Sequence, residues 1–499
     1  MSDMWPRAER PVAAHKRQRQ LRNGTPSGKR NSRRRHLKRH MREIAKRIMF
    51  IATVCATLVL FFSASAGAAQ KPAENPAGQS ASNNSAATPT VQSRPITPSN
   101  EIVTTYTLPP KLYEKATALG RIFFAFDLIA GLYELVILWM VLHWKLAPRY
   151  RGWAEAVSRR WALQAVVFAP LILLTIDILE LPVGIFENWE LRRYGLSVQG
   201  WASWGADWAK QEILALIAGA IIVAILYAII RKSPRRWWFY FWLSVLPIAT
   251  FLIFLQPLVV DPLFHKFEPL QQKDPALMAA LEKMVHHAGL DIPPSRMYWM
   301  GASSKSAELN AYVTGLGSSK RIVIWDTTIA KMTTPQIVFV VGHETGHYVL
   351  HHIPKEAGIL AGALLVVFYL GYLCIGGMLR RWGEGWSIRG VGDWASLPAL
   401  LLLLGMISFV GNPIANAVSR HFEHQADQFG LEVTHGLTPN SGEVAAQAFE
   451  TLGKVDLSDP APSRPDIVLT YDHPPISARI RFALSYHPWA SGGHGEFIH

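Results

Sequence analysis

VFVVGHETGHYVLHH, residues 338–352, sets His343 and His347 four apart in an apolar run, with Glu344 beside the first. Just upstream, Thr334-Pro335 predicts a helix start, with Thr as N-cap and Pro at the first helical position. At about 3.6 residues per turn the two imidazoles leave one face at the spacing that a single tetrahedral ion needs, and Glu344 reaches the place where water binds. Such an H-E-x-x-H implies metal-assisted hydrolysis, in which a carboxylate takes a proton from water attacking a polarised carbonyl. Taken alone, the pattern also fits a chance match on a surface helix.

A third ligand strengthens the metal reading. The stretch Ser419-Arg420-His421-Phe422-Glu423-His424-Gln425-Ala426-Asp427 leaves an apolar run as a helix, with Glu423 and Asp427 four apart. Glu423 can complete the site and Asp427 can orient a ligand imidazole, although the same spacing suits a solvated charged face. His421 and His424 read as surface residues or as hydrogen-bond partners of the site. His351, a turn past His347, reads as a packing or hydrogen-bonding histidine, because a catalytic ion keeps one position open. The only cysteines, Cys55 and Cys374, lie in apolar runs, so neither a disulfide nor a cysteine-based site is expected.

Outward from these motifs the chain is apolar. Of its 499 residues 50% are hydrophobic, and the runs 122–143, 161–186, 211–230, 237–260, 358–378 and 396–416 each approach the ~20 residues that span hydrocarbon. Asp127, Glu134 and Asp177 within them should face the bundle or water. The expected fold is mainly α: a polytopic helical membrane protein with a small α+β peptidase domain. Its parts are a basic leader with signal peptide or anchor (1–69), a disordered tether (70–110), four spans (111–260), an insert carrying the H-E-x-x-H helix (261–357), a two-span hairpin (358–418) and a C-terminal segment with the third ligand (419–499). Within the insert, Pro275–Ala288 suits a helix, Arg296–Met300 and Arg321–Asp326 suit strands, and Asn310–Gly315 suits an extended edge.

The net charge of +14 is concentrated at one end. Residues 1–48 hold 16 Lys/Arg against 3 Asp/Glu, which argues for a leader rather than a nucleic-acid partner. The apolar run Ile48–Phe62 and the small residues after it complete a secretory signal, with Met41 an alternative start. Loops 144–160, 231–236 and 379–390 contain five, four and three Lys/Arg, while 187–210 has three beside three acids. The positive-inside rule makes the first three cytoplasmic and sets the insert and tail together outside.

The order NAYVTG, VGHETGHYVLHH, SRHFEHQAD and Asp472-His473-Pro474-Pro475 with Arg479 resembles the integral-membrane CAAX prenyl endopeptidases of the sterile-24 type and their bacterial relatives, over residues 110–485. The resemblance implies a gluzincin-type zinc metalloendopeptidase with one Zn2+ per chain on His343, His347 and Glu423, and Glu344 as catalytic base. It also implies that Asn310 and Ala311 pair with the substrate backbone and that His473 and Arg479 hold substrate or the developing oxyanion. Ala478 departs from the family, which usually has an acid there. The expected partners are a peptide or protein substrate and membrane lipid. The expected location is a bacterial inner membrane, with the site facing the periplasm or exterior. The alternatives are an intramembrane protease, disfavoured by Lys331, Lys355 and Glu356 around the motif, and a non-enzymatic membrane chaperone or chamber protein with a vestigial zinc site.

Overall fold

A computed structural model describes residues 103–315 and 319–498. The leader, the signal and most of the expected tether lie outside them. Where the tether is described the chain is packed: Val103, Tyr106 and Leu108 are buried and the Tyr106 hydroxyl donates to the Ser458 carbonyl at 3.0 Å. These spaced apolar residues find a core to enter, which corrects the expectation that disorder continues to residue 110.

The membrane region opens with α1 (Pro110–His143), α2 (Leu146–Val157), α3 (Trp161–Tyr194), α4 (Trp201–Lys232) and α5 (Trp237–Leu255). After the insert come α8 (His352–Trp382) and α9 (Leu397–Thr434). Six segments among the described residues are long and apolar enough to cross a membrane, matching the six expected runs. Several outlast the hydrocarbon, and α9 carries its last turns out as the helix of the third ligand. Asp177 interacts with Glu212 and Glu180, and Glu180 with Glu134, so carboxylates of α1, α3 and α4 are neighbours, although Glu134 is exposed. Asp127 is exposed.

The insert folds as a small mixed sheet against helices. Its strands β1 (Phe267–Pro269), β2 (Met297–Met300), β3 (Ala311–Thr314) and β4 (Arg321–Trp325) run in the order β1-β2-β4-β3. β4 pairs parallel with β2 and antiparallel with β3, Ala311 opposite Ile324. The run Arg321-Ile322-Val323-Ile324-Trp325 is central because both its faces are apolar: Ile322 and Ile324 enter the main core, while Val323 and Trp325 meet Met300 and Ala302 behind. β3 is left as an edge.

On the main face pack α6 (Pro275–His287), α7 (Thr334–Val349), α10 (Ser441–Val455) and α11 (Ile476–Ser485). Thr333, rather than Thr334, caps α7, because its amide donates to Gln336 Oε1 at 2.9 Å in a reciprocal capping box. The helix also ends sooner than the apolar pattern suggests. His351 adopts φ 59°, the left-handed region, and α8 starts at His352 on a new axis.

Candidate active site

α7 crosses α9 at small side chains. A Cβ on Gly430 would lie 3.1 Å from Phe339 and 3.2 Å from the His343 amide nitrogen, and one on Gly346 would meet Phe429 at 3.0 Å. Glycine lets the two helices approach this closely without displacing a neighbour, and the crossing brings Glu423 onto the H-E-x-x-H face across 76 residues of chain.

Three donors converge there. Glu423 Oε2 is 3.2 Å from His343 Nε2, Glu423 Oε1 is 3.5 Å from His347 Nε2, and the two Nε2 atoms are 3.4 Å apart. A tetrahedral ion with bonds of about 2.0–2.1 Å separates its ligands by about 3.3–3.4 Å, close to the separation of the two imidazole nitrogens, and each of them faces one oxygen of Glu423 at a similar distance. Glu423 Oε2 is buried and has two imidazole nitrogens beside it, His343 Nε2 at 3.2 Å and His473 Nε2 at 3.1 Å. Among the described residues this is the cluster able to hold a metal. Its donors are nitrogens and a carboxylate, a set that suits zinc.

The surroundings orient the donors. His343 Nδ1 lies 2.8 Å from Asp427 Oδ1, which leaves Nε2 for the site. Arg479 donates to both Asp427 oxygens, at 2.9 and 2.5 Å, and its guanidinium lies 4.2 Å from the Phe449 ring centre. The guanidinium expected at the substrate thus binds the carboxylate behind His343 while lining the same cavity. On the far side His347 Nδ1 meets His352 Nδ1 at 3.3 Å. His351 is exposed and binds the Val349 carbonyl. His421 and His424 are exposed, His424 against Phe482.

Burial draws the His343 imidazole down, but its hydrogen bonds to the Asp427 and Glu423 carboxylates prevail and push it up to about 10, so the site favours positive charge there. Burial, aided by His343 and His352, takes His347 down to about 3, which keeps its lone pair free. Burial raises Glu344 to about 7 against the pull of His343, close to the value that serves a general base. His473 sits at the rim with its side chain 43% exposed, its Nε2 3.1 Å from Glu423 Oε2 and its Nδ1 2.8 Å from Asp472 Oδ1. Burial opposes its charge, but Glu423 and Asp472 push it up to about 9.

A cavity of about 100 Å³ opens over Glu344, lined by His343, His473, Arg479, Asn310 and Ala311 and walled by apolar residues including Phe339 and Phe449. Asn310 turns its backbone into the sheet. Its carbonyl accepts from the Trp325 amide at 3.0 Å, and its amide donates to Thr328 Oγ1 at 2.8 Å. By strand alternation, Ala311 then directs its amide and carbonyl to the free edge. Of the two residues expected to pair with substrate, Ala311 is thus the one whose backbone faces that edge. The Tyr348 hydroxyl donates to the Gly315 carbonyl at 2.9 Å and ties that edge to α7.

With this geometry described, comparisons with known proteins bear on it. The model of peptidase family M48 matches residues 271–487, and the model described as CAAX prenyl protease N-terminal, five membrane helices, matches residues 98–266. The uncharacterized metalloprotease YhfN of Bacillus subtilis is 34% identical over 68% of this chain and 77% of its own. A CAAX prenyl protease 1 homolog of Oryza sativa is 26% identical, over 70% of this chain and 79% of its own. The crystal structure of S. mikatae Ste24p superposes with a TM-score of 0.64 at 22% identity, over 76% of this chain and 89% of that one. The superposition speaks for the fold alone.

Proposed function

The chain belongs to peptidase family M48 and is a multi-pass membrane metalloendopeptidase, and we propose that its metal is one zinc ion held by His343, His347 and Glu423, with Glu344 as general base. The observation that carries this is the convergence of two imidazole nitrogens, 3.4 Å apart, on the Glu423 carboxylate, whose oxygens lie 3.2 and 3.5 Å from them, beside the buried Glu344 on an open cavity. When bound, zinc supplies Lewis acidity at that point, polarising the scissile carbonyl and acidifying water.

The chain's own residues do the rest. Substrate adds a strand antiparallel to β3, its backbone meeting Ala311, while the Asn310 side chain lines the cavity from the same edge. Glu344 takes a proton from the attacking water as the water oxygen bonds to the carbonyl carbon. The same carboxyl returns that proton to the amide nitrogen as the C–N bond breaks. His473, kept protonated by Glu423 and Asp472, donates a hydrogen bond to the oxyanion. Arg479 works through Asp427, holding His343 in its ligating tautomer.

The loop charges support an orientation in a bacterial cell membrane with insert and tail on the outer side. The substrates are then membrane-associated or envelope proteins, rather than the CAAX prenyl substrates in the relatives' name. The metal reading is tested on the purified chain, which should carry about one zinc, lose it in Glu423→Ala and keep it in Glu356→Gln. Normal zinc content in Glu423→Ala would overturn the ligand set.

A further inference from the structure

His352 is fully buried, its ring centre 5.1 Å from that of His347 and 4.7 Å from that of Phe422. It makes two ring contacts: Nδ1 to His347 Nδ1 at 3.3 Å, and Nε2 to Gln425 Oε1 at 3.1 Å. Gln425 is two residues beyond Glu423 on α9, so the same helix reaches His347 twice, once as a donor atom and once through His352. The break at His351 makes this geometry. In an unbroken helix His351 would stand over His347 and His352 would project about 140° away.

We propose that Gln425 and His352 form a directional hydrogen-bond relay that fixes the tautomer of His347 and so sets how tightly the site holds its metal. This rests on His347 being a ligand. A carbonyl oxygen only accepts, so His352 must carry its proton on Nε2. Its Nδ1 is then a bare lone pair, and the hydrogen bond to His347 exists only if His347 carries its proton on Nδ1. That leaves His347 Nε2 unprotonated, directed at Glu423 Oε1 and His343 Nε2. The opposite polarity would put a proton on His347 Nε2 and close the site. His343 receives its tautomer from a carboxylate, Asp427, whereas His347 receives it from a neutral relay with one acceptor at its end. His352 and Gln425 are therefore positioning residues.

Zinc affinity of the full chain in detergent, read by competition with a fluorescent chelator, tests the relay. Gln425→Glu keeps an acceptor and should bind zinc within about threefold of the parent. Gln425→Lys offers only a donor, inverts the relay and should weaken zinc by roughly 10–100-fold, as should His352→Phe. In the His352→Phe background, adding Gln425→Lys should cost nothing further, since the path is already cut. Equal affinities in Gln425→Glu and Gln425→Lys overturn the relay, as does a lysine effect that persists in full in the His352→Phe background, which would be plain charge repulsion. Should His352→Phe not fold, equal affinities in the Glu/Lys pair still overturn the relay. His347→Ala separates the two readings: zinc retained there defeats the ligand assignment, while zinc lost there and kept in Gln425→Lys defeats only the relay.

Discussion

Gly430 crosses the backbone of His343 so closely that a single added methyl would press on the His343 amide nitrogen at 3.2 Å and its Cα at 3.3 Å. The neighbour is main chain and cannot rotate away. Gly430→Ala should push α9 from α7, lowering stability by about 1–3 kcal/mol as overpacking does and weakening zinc through Glu423. Thermal melting and chelator competition read both effects, and an alanine variant with parental values in each would show that the crossing is slack.

Glu344→Gln should keep zinc and lose turnover by at least about a hundredfold, the scale of general acid–base catalysis. Peptide cleavage and metal analysis on one preparation check it. Activity within about tenfold of the parent would remove Glu344 from the base role.

Arg479 and Asp427 meet through two hydrogen bonds, and a lysine cannot reproduce that fork. Both Arg479→Lys and Asp427→Asn should weaken zinc by roughly 10–100-fold. A fall in kcat/KM for Arg479→Lys with unchanged zinc affinity would return the guanidinium to the substrate.

Asp456 accepts the Leu309 amide at 3.3 Å behind the substrate edge, and burial raises its carboxyl to about 7 despite that bond and Lys331. The folded chain thus holds this proton more tightly than the unfolded chain, so stability falls as pH rises from about 4 to 7 and the full penalty stands above that. Asp456→Asn keeps an oxygen for Leu309 without the charge. Its melting temperature should exceed the parent's by a few °C at about pH 8, with the gain shrinking toward about pH 4; a gain that does not change with pH would exclude the carboxyl as its source.

Orientation is tested by single cysteines in a chain lacking Cys55 and Cys374. Those at Ser319 and Ser463 should react with an impermeant maleimide in intact spheroplasts, and one at Ser233 only after lysis. Labelling of Ser233 first would turn the site to the cytosol and leave the zinc chemistry untouched.

The spans were legible because ~20 apolar residues in a row have few other uses in a folded chain, and the helix carrying His343 and His347 because two imidazoles four apart share a face. β1 was missed, since Phe267-Glu268-Pro269 is three residues long and has no alternation to detect; it exists because β2 offers an edge. His352 was missed because the run through Val349 and Leu350 reads as an uninterrupted helix, and nothing in Leu350-His351-His352 announces a left-handed residue. The partner of Arg479 was not legible either, for a guanidinium takes whichever carboxylate packing brings to it, here Asp427.

By itself, then, the sequence determined what depends on local periodicity and chemistry: helices that span, a helix that presents two imidazoles and a carboxylate, and a second helix with Glu423 and Asp427 on one face. Only the tertiary structure decided which partner each group meets. Contacts such as Glu423 with His347, Arg479 with Asp427 and His352 with His347 depend on where α7, α8, α9 and α11 cross, and those crossings are set by glycine contacts and one backbone break. Periodicity fixes the face of a helix, whereas the distance and angle between helices come from side chains packing across long stretches of chain.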